Sequence, residues 1–598
     1  MKFRELAEAF ERLEAEPKRL AMRKILAELV RPLKPPTLTE VLFLLQGMLR
    51  PEYEGVELGV ADSLARRAIA IATGTEEPEV RRRAKASGDL GTTAAELLQG
   101  RPRLAADGDL GVDRVYAELR RLAEAKGEGS QETKVKIAAE LLARAEPIEG
   151  KFLVRFLLGT LRVGVREMTI LDALGDAFAD GSKEARREIE GAFNLSSDLG
   201  LVATTLVEHG VPGLARIGLT VGRPVRPMLA EREPTLAAVL ERMGGEAALE
   251  FKYDGLRVQA HVPKDGKVRL FSRRLDELSA QFPELVAALP HAVRSKPAIV
   301  EGECVPVDPD TGEIQPFQAV SRRRGRKHDL EKAQEEIPVC LYLFDVLLAG
   351  GTATYARSFP ERRAALEALV TPGERVKIAE QRRVESVEAA TAFLDEAIAA
   401  GGEGVMAKSL KPESSYRAGA RGYWWIKYKR DYTVGLADSI DGVVVGGFAG
   451  RGRRAGRWGA FLLAVYDRPR DRFETFTKVG SGFDDAQLAE MPKRLRAYEL
   501  DHRPPDVETE LVPDQWFRPQ LVLEVRGAEL TLSPVHRAAA GAIRAGAGLA
   551  LRFPRFTGRF RDDKGPTEAT TSQELLEMYR SQVRQEAPVE ADAAPDAG

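Results

Sequence analysis

The sequence predicts a multidomain fold in three successive parts: an all-α N-terminal domain, an α+β domain and a β-barrel domain. Three observations carry this. Over residues 1–218 apolar residues recur at three- and four-residue spacing, broken by Gly- and Pro-bearing turns. From 219 to 430 short alternating strands mix with helices, and from 431 to 585 strands follow one another through Gly-rich turns. A chain of 598 residues is also too long for a single core.

The first stretch opens with Phe3, Leu6, Phe10 and Leu13 between charges, an amphipathic helix rather than a signal peptide. Runs such as "ETKVKIAAELLARA" and "MTILDALGDAFAD" continue the pattern. Within this part "GDLGTTAAELL" and "FLLGTLRVGVREMTILDAL" look like helix–turn–helix connections, whose backbone amides can hold phosphates. Taken alone they are most simply packed helices. No window has the roughly 18 apolar residues of a membrane span, and the chain reads as cytoplasmic. Lys+Arg of 89 against Asp+Glu of 91 leaves a net charge of −2, so any nucleic-acid surface must be local. Six scattered histidines form no metal cluster, and Cys304 and Cys340 read as buried free thiols.

In the second part "AALEFKY", "RVQAHV", "KVRLF", "AIVEGECVPV" and "VCLYLFDVLL" are strands, while "PERRAALEALV" and "ESVEAATAFLDEAIAAG" are helices. In the third, "GLADSIDGVVVGGFAG", "WGAFLLAVYD", "RFETFTKVGSGF" and "PQLVLEVRGAEL" suit a small barrel of about five strands, such as an OB fold. Residues 586–598, rich in Ala, Pro and acid, read as a disordered tail.

The chemistry concentrates in the middle domain. "EFKYDGLRVQAH" places Glu250 and Lys252 on one strand face, with Asp254-Gly255 as the turn of a hairpin whose returning strand carries Arg257. A lysine of ordinary pKa near ~10.4 is no nucleophile; burial and a second cation would free its amine. KxDGxR by itself is most simply a surface hairpin. Further polar residues on apolar strands change that: Glu301 and Glu303, Asp345, Glu403 and Lys408, and Trp425, Lys427 and Lys429 in "YWWIKYKRDY". Buried carboxylates are rare unless paired or metal-bound. Together these residues describe a pocket for a polyphosphate with a divalent metal.

With these motifs in order the chain resembles the ATP-dependent DNA ligases, of the replicative type found in archaea, eukaryotes and some bacteria. "PFQAVSRRRGRK", "SGFDDAQL", "ELTLSPVH" and the N-terminal "GDLG", "GSQETKVKIAAELL" and "LRVGVREMTILDAL" extend the resemblance over most of the chain. It implies a DNA-binding helical domain, an adenylation (nucleotidyltransferase) domain and an OB-fold domain. It also implies ATP and Mg2+ as cofactors and nicked duplex DNA as the partner of a monomer, with no membrane involved. Lys252 would attack the α-phosphate of ATP and carry AMP. Glu250 would read the adenine amino group, and Phe344 would stack on the base. Arg257 and Arg273 would contact ribose and phosphate, while Glu303 would lie by the ribose and metal and Glu403 would bind metal. Lys427 and Lys429 would neutralise the α-phosphate. In "LRFPRFTGRFRDDKGP", Arg561 and Lys564 would orient pyrophosphate, with Arg552 a further candidate; Arg555, Arg559 and Arg274 are left unassigned.

Neighbouring classes fit less well. An NAD-dependent ligase resembles a plan with a four-cysteine zinc module, which two cysteines cannot build. RNA ligases and capping guanylyltransferases do not normally carry a long helical N-terminal domain or "RFPRF". A non-catalytic DNA clamp would be expected to lack some residue of the catalytic set. The stretch "ELLQGRPRLAADG" lacks the paired aromatics of a sliding-clamp peptide and supports no such partner.

Overall fold

The computed structural model describes residues 1–101, 110–307, 337–429, 439–450, 457–527, 529–533, 535–552 and 554–586, with Ile314, Arg323 and Gln334 besides. The chain divides into two compact units, Met1–Lys429 and Arg430–Gly598.

Among the described residues twelve helices run from Phe3 to Gly213. The first, Phe3–Ala15, buries Phe3, Leu6, Phe10 and Leu13, the residues its periodicity marks, and Phe10 packs on Phe152 at 5.2 Å. Several helices start on a side chain that accepts an orphan backbone N–H, as Ser182 does from Ala185 and Asp198 from Leu201. The "GDLG" helix start does the same. Asp89 accepts from the Gly91 N–H at 3.0 Å and is ion-paired to buried Arg155, which also reaches Glu14 at 2.8 Å. The residues beyond Arg101 in "ELLQGRPRLAADG" lie outside the described set.

After the helices the chain builds two sheets. The first contains β1 (Leu229–Arg232), β2 (Ala247–Phe251), β9 (Gln381–Val384), β10 (Gly404–Lys408) and β11 (Arg421–Lys429), in the order β1-β11-β10-β2-β9. The second contains β3 (Leu256–Val262), β4 (Arg269–Ser272), β5 (Ala298–Pro306), β6 (Val339–Ala349), β7 (Thr352–Ala353) and β8 (Val376–Ile378). Its order is β4-β3-β5-β6-β7, with β8 beside β6. This overturns one expectation. β2 and β3 do not pair as a hairpin, because residues 252–255 carry the chain from one sheet to the other. Asp254-Gly255 supplies a bend, yet the strands it joins find better partners elsewhere. Gly255 is required by close packing: a Cβ there would lie 2.5 Å from the Cys304 carbonyl oxygen on β5. Cys304 and Cys340 are buried free thiols on the neighbouring strands β5 and β6.

The segment entering these sheets is clasped by β3 side chains. Gln259 accepts from the Val225 N–H at 2.7 Å and donates to its carbonyl at 3.1 Å, while His261 Nδ1 accepts from the Gly222 N–H at 2.9 Å.

The second unit is β-rich and OB-like. The four stretches read as strands form β12 (Ile440–Ala449), β13 (Trp458–Asp467), β14 (Arg472–Val479), and the pair β18 (Val522–Arg526) and β19 (Glu529–Ser533). Shorter strands β15 (Glu499–Leu500), β16 (Val507–Glu508) and β17 (Gln515–Phe517) fall between them; β20 (Gly548–Arg552) and β21 (Arg555–Phe560) follow. Eight of these form one sheet, and β19 pairs with β20. Phe461, Phe476 and Phe517 are buried in the core. Among the described residues no helix is long and apolar enough to cross a membrane.

Candidate active site

Lys252 follows directly on β2, and one loop fixes its main chain from both sides. Its N–H donates to the Gly404 carbonyl, and its carbonyl accepts from the Glu403 N–H, each at 2.9 Å. Gly404 has φ +152°, and a Cβ there would come within 2.2 Å of the Tyr428 carbonyl oxygen. Only glycine lets β10, β11 and Lys252 converge so closely. The result puts the Glu403 carboxylate between two ammonium groups, ion-paired to both Lys252 and Lys429. Burial, then the nearby Lys429 charge, pushes the Lys252 amine down to about 8.

The Lys252 side chain faces a cavity of about 600 Å³ between the two sheets. Glu250, Arg257, Arg273, Glu303, Phe344, Glu403 and Lys427 also line it, so these expected site residues share one space, with Lys429 bound to Glu403 beside it. Counting the lining side chains, seven cations face four carboxylates, a surplus suited to a polyanion. Burial raises Glu303 to about 7 against the pull of Lys252 and Arg257. Burial works against the charge on Arg257, but Glu301 at 2.8 Å outweighs it and holds the guanidinium above its ordinary value. Burial also lowers Lys427, and Lys429 adds to that. Glu250 is held by Lys408 at 2.7 Å, Gln381 at 2.9 Å and Arg363 at 3.4 Å.

Asp345 and Glu301, singled out as pocket candidates, have other work. Asp345 does not line the cavity: it binds Arg362 through two hydrogen bonds of 2.8 and 3.0 Å, both side chains fully buried. Glu301 is likewise spent on Arg257 and the Tyr416 hydroxyl, the latter at 2.8 Å. Arg561 and Lys564 belong to the second unit, where each binds Asp441 of β12 at 2.7 Å. "PFQAVSRRRGRK" lies outside the described residues except Arg323, which is buried against Glu284.

Other cavity residues had no assigned role. Lys408 and Trp425 were visible as polar or aromatic positions in strand runs. Arg421, at the start of β11, carries no local signal, since a charge at a strand end is ordinary. Arg274 lines the cavity together with Arg273.

A divalent metal fits here only with its substrate. Among the described residues no three His, Cys, Asp or Glu side chains group as a metal cage. Mg2+ needs no such cage: one or two carboxylates, water and substrate phosphates suffice. Glu303 and Glu403 meet that requirement.

Two packed sheets around a lysine-bearing, cation-rich cavity, with an OB-like domain following, define a nucleotidyltransferase. The family "DNA ligase N terminus" matches residues 2–175, "ATP dependent DNA ligase domain" 227–429, and "ATP dependent DNA ligase C terminal region" 454–564. A "DNA ligase 2" of Thermofilum pendens is 47% identical over 586 residues, covering 96% of this chain and 97% of that protein. A "DNA ligase" of Aeropyrum pernix is 44% identical, covering 99% and 100%. A solved structure called "Pmar-Lig_Pre" shares the fold with a TM-score of 0.52 at 19% identity, covering 93% of this chain and 99% of that one. The chain belongs to the ATP-dependent DNA ligase family.

Proposed function

We propose that Lys252 is the nucleophile of an ATP-dependent nick-sealing reaction. The observation that carries this is the placement of its amine, wedged against Glu403 in a cavity whose charged side chains are mostly cations. With its pKa pulled down to about 8, the amine is neutral far more often near neutral pH than an ordinary lysine.

In the first step the neutral Lys252 amine attacks the α-phosphorus of ATP. An N–P bond forms, the bond to pyrophosphate breaks and the amine gives up a proton to water. Lys427 and Lys429 offset the charge that develops on the phosphoryl oxygens. Phe344 offers an aromatic face to the base, Glu250 accepts from its amino group, and Arg257 and Arg273 hold ribose and phosphate. Arg561 and Lys564 keep the role the resemblance implies, as cations for the pyrophosphate leaving group. Glu303 and Glu403 would hold Mg2+, which when bound adds positive charge beside the phosphates. AMP then passes to the 5′-phosphate of a nick, and the 3′-hydroxyl displaces it to close the strand. The helical domain would bind the duplex through its backbone.

The test is label transfer from α-labelled ATP. The protein should form an acid-labile, alkali-resistant adduct, and Lys252→Ala should form none. A wild-type protein that takes no label from ATP with Mg2+ present would instead be a DNA-binding scaffold.

A further inference from the structure

Trp425 is a cavity residue that the proposed chemistry leaves unused. It is 2% exposed, and its indole N–H is buried without an acceptor. A phenylalanine in its place would avoid that unsatisfied donor. No described protein group accepts from the indole N–H, so within the protein the ring acts through its π face.

Its surroundings supply the reason. In the β10–β11 ladder Trp425 stands directly opposite Lys408. The Lys408 ammonium lies 4.5 Å from the indole centroid and the Arg257 guanidinium 5.5 Å from it. Phe344 meets the indole edge to face at 5.9 Å and 85°, and the same two cations lie 4.8 and 5.4 Å from the Phe344 ring. Both cations line the cavity and both are drawn out of water. Each is ion-paired to one carboxylate, Glu250 for Lys408 and Glu301 for Arg257, with Asp345 and Glu303 acting on them from farther off. Of the aromatic side chains, tryptophan has the most attractive face for a cation, and the attraction grows as water is excluded.

We propose that Trp425 is a positioning residue whose indole face holds Lys408 and Arg257 in the cavity wall by cation–π attraction, and so sets how tightly the nucleotide is bound. The inference rests on the ATP reading above. It explains why a tryptophan stands where its N–H is unsatisfied.

Progressive fluorination of the indole tests it, because fluorine drains the π face while barely changing shape. Fluorotryptophans with one to four ring fluorines are placed at position 425 alone in the full-length chain. The KM for ATP and the rate of adduct formation are then measured beside thermal unfolding. The expected result is a stepwise loss of kcat/KM with each fluorine, roughly ten- to thirtyfold across the series, mostly through KM, at an unchanged melting temperature. Trp425→Phe should fall within that series. A flat series with the adduct still forming overturns the positioning role, as does a loss that only tracks falling stability. No adduct from the unsubstituted protein removes the ATP reading itself, and this inference with it.

Discussion

The Asp89–Arg155 pair of the helical domain and the Lys252–Glu403 pair of the cavity are both charged contacts beside a glycine, and each has a residue in or next to a short Gly-Asp or Asp-Gly signal in the sequence. They differ in what surrounds them. Asp89 accepts from Gly91, from the Thr92 hydroxyl and from Arg155, and Arg155 in turn ends on Glu14. Every partner comes from the protein, and the pair locks two helices together. Lys252 and Glu403 face an open volume of about 600 Å³, and Glu403 serves a second ammonium as well. A structural charge closes its contacts inside the fold. A reactive one is kept within reach of a ligand at some cost in stability.

The comparison can be broken by exchanging the two outcomes. Lys252→Ala should abolish adduct formation and nick sealing while leaving the unfolding midpoint nearly unchanged. Asp89→Ala should do the reverse. Leaving the buried Arg155 with Glu14 as its remaining carboxylate should remove about 1.5–3 kcal/mol of stability in a urea titration, with labelling by ATP retained at temperatures where the fold persists. If Asp89→Ala lost labelling in a fully folded protein, the distinction would fail. Lys427→Ala sharpens the reactive side: it should slow adduct formation about 10²- to 10³-fold, the effect of losing one transition-state donor, in single-turnover measurements.

Per pH unit the smallest effect concerns His261, a structural titrating group in the same sheets. Burial, with help from Arg269, pushes it down to about 3, and its Nδ1 accepts from the Gly222 N–H. The folded state therefore binds fewer protons than the unfolded one. The contribution is complete above pH ~6.5 and declines as pH falls toward 3, by roughly 1.4 kcal/mol per pH unit at full slope. His261→Gln should flatten that part of the stability curve.

Much of this was legible because local pattern and global fold agree. The period of Phe3, Leu6, Phe10 and Leu13 marks a helix face whatever else the chain does, and that face is buried. "VEGECVPV" and "YWWIKYK" announce polar side chains on strands that must be covered. The same logic misplaced Asp345: a buried carboxylate needs a partner, and the sequence could not say whether that partner was a metal or, as it is, Arg362 of the following helix. Arg421 escaped notice because a cation at a strand end looks like solvated surface, and it stays exposed even while it lines the cavity.

The amino-acid sequence by itself determined the order of helical, mixed and β-rich parts and the chemical kinds of residue available for the site. Those depend on periodicity and composition, which act over a few residues at a time. Only the tertiary structure decided that Lys252 and Arg257 leave on different sheets rather than on one hairpin, and that Gly404 brings Glu403 against Lys252 from 151 positions away. Strand pairing is a contest among distant partners, settled by which side chains can be buried together. A turn signal cannot foresee that result.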